Sequence, residues 1–255
     1  MRDLVHFTWI DYLAILYFVG IWMLFSIAAN GGVVRRKSLS AYMNQQRRLW
    51  MQTLAHRDLR MIDTSIMASL QQGTAFFASS ALIAIGGCFA LLGAPDRVMA
   101  VLSDLPVTSQ ALRVTFEIKV IGLILVLAFA FFKFTWSYRL FNYCAILIGA
   151  VPVMSVRHSD PEKMDRAVER AAQVNIIAGK HFNEGLRAIF FSIGYLGWFV
   201  NGWIFFLTST VLTLVLIKRQ FFSSARLAVM DELDEAKAPP AQGAGSRSDV
   251  RPENL

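Results

Sequence analysis

Residues Ala188 to Ile217 read AIFFSIGYLGWFVNGWIFFLTSTVLTLVLI, without one Asp, Glu, Lys or Arg. A helix rises about 1.5 Å per residue, so about 20 apolar residues cross a hydrocarbon core of about 30 Å. This stretch is longer than that. Two other charge-free runs, Tyr12 to Val34 and Thr64 to Pro95, also exceed it. A helix in a soluble core seldom runs so far without a charge. Overall, 55% of the 255 residues are hydrophobic and only 17% are charged, against about 25% in ordinary soluble domains. The expected fold is therefore all-α: a polytopic helical membrane protein lodged in a lipid bilayer.

The placement of the basic residues carries the topology. The net charge of +7 collects beside the apolar runs, where it acts as an orientation signal rather than a nucleic-acid surface. Between Arg35 and Asp63 lie Arg35, Arg36, Lys37, Arg47, Arg48, Arg57 and Arg60 against Asp58 and Asp63. That excess marks a cytoplasmic loop. Pro95 to Arg113 balances Arg97 and Arg113 with Asp96 and Asp104 and reads as an external hairpin, whereas Pro152 to Arg187 is basic again. The expectation is a multi-pass cell inner membrane protein with a periplasmic amino terminus. Its four transmembrane helices cover about residues 10–33, 66–94, 113–151 and 186–217, with long cytoplasmic helical extensions and a disordered tail at 231–255. Arg35-Arg36-Lys37 after the first run acts as a stop-transfer signal, so that run is expected to be retained rather than cleaved.

One feature opposes this threading. Lys218, Arg219 and Arg226 follow the last run and favour the cytoplasm, whereas four crossings put them outside. A fifth crossing at Leu140 to Val156 would resolve the conflict, but Lys133 to Arg139 contains no Gly or Pro to make the required turn. One helix from about Ala111 to Val151, stopped by Pro152 and about 60 Å long, is the preferred reading. Elsewhere Ser38 is expected to cap a helix carrying Leu39, Tyr42, Met43, Trp50 and Leu54, and Asp160-Pro161-Glu162 to start another.

No nucleophile–base pair, metal-ligand spacing, Walker loop or dinucleotide fingerprint occurs. The chain is expected to be no enzyme and to need no cofactor, metal or nucleic acid. Cys88 and Cys144 lie in apolar segments as packing residues. The polar residues inside the spans are the informative ones, because lipid leaves them no water. On the third helix Lys119 and Lys133 lie about 40° apart on one face and about 21 Å apart along the axis. They either snorkel to opposite interfaces or form a basic stripe along a solute path, with Glu117 paired to a neighbouring helix. Glu117, Arg139 and Asn142 fall on the opposite face. On the fourth, Asn183, Arg187, Gly194, Gly197, Asn201 and Thr208 share one line. It serves either tight packing, with Asn201 bonding across an interface near mid-span, or a wet cavity. Ser65, Ser69, Gln72, Ser79, Ser80 and Gly87 make a similar face on the second.

Three stretches carry a resemblance: RDLRMIDTSIMASLQQGTAFFASS at Arg57 to Ser80, FTWSYRLFNYCAILIGAVP at Phe134 to Pro152, and NIIAGKHFNEGLR at Asn175 to Arg187. With them, about Asp11 to Ala225 resembles the bacterial and plant membrane family designated domain of unknown function 599. The resemblance implies four-span membrane proteins and brings no activity with it. The ending Ile217-Lys218-Arg219-Gln220-Phe221 departs from the family's more basic-acidic pattern. The matching stretches suggest that Arg139 and Asn142 bond Asn183 and Glu184 across a helix interface. Two functions follow as expectations. One is a homo-oligomeric channel or carrier of unknown substrate with Lys119, Lys133 and Asn201 as polar contacts. The other is a non-transporting scaffold whose basic helices bind anionic lipid or a partner protein.

Overall fold

Every element in the chain's described part is a helix or a turn, and each begins where local chemistry favours it. The computed structural model describes residues 7–30, 38–103, 113–152 and 160–235, with backbone alone at 101–103 and 231–235. Helix α1 is Trp9–Ala29, α2 Leu39–Leu54, α3 Met61–Gly93, α4 Pro95–Ser103 and α5 Arg113–Ala150. Helix α6 is Pro161–Tyr195, continued by a 3-10 turn at Leu196–Phe199; α7 is Gly202–Phe221 and α8 Ser224–Glu235. Ser38 caps α2, its hydroxyl accepting the Ala41 amide at 3.2 Å. Asp160 caps α6 by accepting the Lys163 amide at 2.9 Å, with Pro161 as the first helical residue. Four stretches are long and apolar enough to cross a membrane: Trp9–Ala29, Met61–Gly93, Arg113–Ala150 and Gly202–Met230. The tail expected from 231 begins inside α8; residues 236–255 lie outside the described part, as do the basic run 35–37 and His158.

Helix α5 is unbroken over 38 residues, so no turn forms at 133–139 and residues 140–150 continue the same helix. The reversal lies in the segment expected to be one helix, 186–217. There α6 ends at Tyr195, the 3-10 turn tightens the chain, and Asn201 adopts an extended conformation with φ −165°. The Asn201 side chain accepts the Ile204 amide at 2.8 Å and starts α7. Helix α7 then runs back along α6. Thr208 donates to the Gly194 carbonyl at 2.7 Å, and the Arg219 guanidinium lies 5.8 Å over the Phe190 ring. The approach is close because Gly197 has no side chain: a Cβ there would collide with the Thr208 hydroxyl. The small residues expected to share one line thus face each other across a hairpin.

Helices α5 and α6 form an antiparallel spine. Cys144 meets the Ala171 carbonyl, Ser137 the Ala178 carbonyl, and Lys119 the Trp198 carbonyl. Phe134, fully buried, rests on the bare backbone of Gly185. Helix α1 lies against this spine with Phe18 and Trp22 on Phe191. Helix α3 packs along α5, with Phe77 stacked on Phe134 at 5.5 Å, and leaves Ser65, Ser69, Gln72 and Ser79 exposed. We call the end near Asp11 and Trp198 the upper end. The upper core contains Phe18, Phe116, Val120, Phe191 and Phe205; a lower core joins Met51, Met67, Phe141, Cys144 and Met164. In the lower half α2 is a separate helix on α6, where Arg48 pairs with Glu169 at 3.2 Å. Arg47 lies against Gly179, and burial pushes its guanidinium below its ordinary pKa.

Candidate functional site

The buried polar groups fall into two layers. In the upper layer the indole of Trp198 donates to Asp11 at 2.7 Å, and the backbone and hydroxyl of Thr8 donate to the same carboxylate. Lys119, only 4% exposed, donates to the Trp198 carbonyl at 2.7 Å and lies 5.2 Å over its ring. The Tyr195 hydroxyl closes the cluster on the Lys119 carbonyl at 3.0 Å. A lysine, an aspartate and a tryptophan from three elements thus satisfy one another.

The lower layer is more open. Lys133 pairs with Glu184 at 2.7 Å, and His181 lies 3.5 Å from the same carboxylate. One turn on, Arg187 is buried and donates to Asn30 at 2.9 Å. It borders a cavity of about 160 Å³ shared with Ser40, Asn183, Phe190, Arg219 and Gln220. Gln220 closes one side by donating to Ser40 at 2.7 Å. Beside it an apolar groove of about 500 Å³ runs between α1 and α7, from Tyr17 and Thr210 down to Phe221 and Phe222. Phe25 borders both spaces.

Residues 13–225 match the family model described as "Protein of unknown function, DUF599". The chain belongs to that family. No curated protein and no solved structure matches it. The DUF599 match runs from within α1 to the start of α8, so it holds the lower layer and Lys119, Tyr195 and Trp198 of the upper one, while Thr8 and Asp11 precede it.

Several candidates sit elsewhere than the sequence suggested. Arg139 does not meet Asn183 or Glu184: it is exposed, donates to Tyr143 at 2.7 Å and covers Trp136. Asn142 accepts from Gln71 of α3 at 2.7 Å, because α3 rather than α6 lies over that face of α5. Glu117 takes its partner from its own helix, Arg113 at 2.9 Å, instead of a neighbour. Asn201 is a cap at the upper turn, not a mid-span bond. Lys119 and Lys133 share a face of α5, and each amine is taken up by the α6 hairpin. Asn183, Glu184 and Arg187 do gather in the lower layer.

Other residues went unnoticed. Asp63, with no exposed surface, accepts from Trp50 at 2.7 Å and Arg57 at 2.6 Å. Arg60 donates to the carbonyls of Ile148, Val151 and Pro152, satisfying the end of α5. These are the charged residues of the RDLRMID stretch, and they clasp the α2–α3 corner to the spine. Asp11 and Trp198 were also missed, and Arg219 was read only as an orientation signal. The one local signal for the hairpin was Asn201-Gly202, a turn dipeptide inside an apolar run.

Proposed function

We propose that this DUF599 protein crosses the inner membrane five times and serves as a non-transporting scaffold that binds anionic lipid at its cytoplasmic side. The observation that supports this topology is the reversal at residues 196–201, on which we read the upper half of α6 and all of α7 as separate crossings. The amino terminus then lies in the periplasm and α8 in the cytoplasm, so Lys218, Arg219 and Arg226 all obey the positive-inside preference. The lysines of the two polar layers, Lys119 and Lys133, stand about 21 Å apart along α5. Asp11 and Asn30 on α1 are separated by 19 residues, about 29 Å of helix, so both layers fall within or at the edges of a hydrocarbon core of about 30 Å. Helix α5, with 38 residues and about 57 Å of length, overshoots that core by about 27 Å. Its lower half, with α2 and the start of α6, forms a helical body at the cytoplasmic surface.

The pairing of the costly charges supports a scaffold over a channel or carrier. A conducting path needs polar groups free to exchange with an ion or solute. Here Lys119 is engaged by Trp198, Lys133 by Glu184, and Asn201 by the start of α7. The self-association expected from the sequence would use α3, whose small polar face lies open. This reading assigns the protein no chemistry of its own.

Two measurements test it. With Cys88 and Cys144 replaced by Ala, single cysteines at His158 and Met230 should react with a membrane-impermeant maleimide from the same, cytoplasmic side. Labelling from opposite sides would return the count to four. Purified protein in liposomes should pass no ions or small polar solutes above empty vesicles; a reproducible conductance would overturn the scaffold.

A further inference from the structure

Among the described residues, the guanidinium of Arg187 is a buried cation with a donor left unmet. Its side chain is 7% exposed, its Nη2 donates to Asn30 at 2.9 Å, and its Nε is buried without a partner among the described residues. The acid one turn earlier, Glu184, is held by Lys133 at 2.7 Å. A second cation, Arg219, lines the same cavity, and no carboxylate does. Glu184 attracts Arg187 but is shared with Lys133, so two cations divide one carboxylate and the cavity side of Arg187 calls for an anion. At about 160 Å³ and about 30 Å³ per water, it holds about five waters, or one tetrahedral oxyanion. Guanidinium groups suit phosphate oxygens because their planar forks donate in pairs. Asn183 and Gln220 add neutral amides at the rim.

The surroundings select the kind of phosphate. Arg187 bonds Asn30, at the lower end of α1, which is headgroup depth if the bundle sits as proposed. The adjoining groove is lined by Ile21, Leu24, Leu214, Ile217 and Phe221, and its threonines bond their own helix. From Tyr17 to Ala28 it follows 11 residues of α1, about 16 Å. Phe25 borders cavity and groove alike, so a chain leaving the cavity passes this ring into an apolar trough. We propose that Arg187 and Arg219 hold the phosphate of one anionic phospholipid while an acyl chain lies in the α1–α7 groove. Two cations and no acid favour a headgroup without an ammonium of its own. This rests on the scaffold reading above and names its lipid site.

The test uses the full chain, purified in detergent and stripped of lipid, with bound lipid counted by native mass spectrometry. One phosphatidylglycerol should bind in preference to phosphatidylcholine. Arg219→Gln, on an exposed residue, should weaken phosphatidylglycerol about tenfold, the scale of one charge-assisted bond. Arg187→Gln should do at least as much, and Arg187→Lys, which keeps the charge, should restore part of it. Ala28→Trp, which fills the groove, should weaken long-chain phosphatidylglycerol and leave a dihexanoyl analogue unchanged. Thermal midpoints without lipid identify any variant that fails to fold; Arg219→Gln and Ala28→Trp suffice if Arg187→Gln does. Unchanged binding in those two overturns the site. Displacement by millimolar inorganic phosphate overturns it in favour of a soluble anion. If neutralising Arg47 and Arg48 alone removes the lipid, the site is wrong but the scaffold stands. Conductance in liposomes with lipid binding intact would remove the scaffold and leave the site.

Discussion

The ammonium of Lys133 lies 2.7 Å from the carboxylate of Glu184 across the α5–α6 seam, with side-chain exposures of 26% and 15%. Each charge makes the other tolerable. Removing one partner strands the other in a poorly hydrated site, whereas removing both strands neither. Lys133→Met or Glu184→Leu alone should therefore cost about 1–2 kcal/mol of stability, and the two combined should recover most of it. Thermal unfolding in detergent across the double-mutant cycle reads this directly. Additive losses would mean the two charges do not interact.

The upper clasp makes a second prediction. Trp198→Phe keeps the aromatic packing on Phe7 and Phe205 but removes the indole donor to Asp11. The loss should be about 1–3 kcal/mol, the cost of a buried acceptor left short of a partner. Asp11→Asn should lose at least as much, since its one amide oxygen cannot accept from both Trp198 and Thr8. A neutral Trp198→Phe would mean that packing alone matters at this turn.

At the hairpin, Gly197→Ala should destabilise by about 1–3 kcal/mol through overpacking. The new Cβ meets the Thr208 hydroxyl and lies 3.1 Å from the Ile204 carbonyl. Thr208→Ala in the same chain should relieve only part of the loss, because the carbonyl remains. Gly73→Ala is the control: nothing lies within 4 Å of a Cβ there, so it should be neutral or stabilise by up to about 1 kcal/mol. A neutral Gly197→Ala would contradict the close crossing of α6 and α7.

The lower corner separates two roles of one carboxylate. Asp63→Asn leaves an oxygen for Trp50 but loses the charge facing Arg57, which is 35% exposed and can rehydrate. Asp63→Ala loses both and opens a cavity. The expected costs are about 1 and about 3 kcal/mol respectively, measured as midpoint shifts. Comparable costs would place the whole effect in the ion pair.

Much of this fold could be read in the sequence because its causes are local. The length of an apolar run, the Ser38 cap and the Asp160-Pro161 start act within a few residues of themselves, and all reappear in the structure. The continuity of α5 was legible for the same reason: no Gly or Pro interrupts residues 133–139. The paired sites were not. Lys133 and Glu184 stand 51 residues apart in sequence, and nothing local links them. Periodicity placed Arg139 and Asn142 on a face of their own helix, but which helix would cover that face depended on packing.

The run that opened the sequence shows the division most clearly. By itself, Ala188 to Ile217 determined that this region is apolar, helical and longer than one crossing requires. Hydropathy is blind to direction, so a chain that reverses inside an apolar run scores as one that continues. Only the tertiary structure decided the reversal, through the Asn201 cap, the bare backbone of Gly197 and the Trp198 bond to Asp11 on α1. That reversal also carries Arg219 back to Arg187, 32 residues earlier, and creates a basic cavity that the charge pattern alone left unseen.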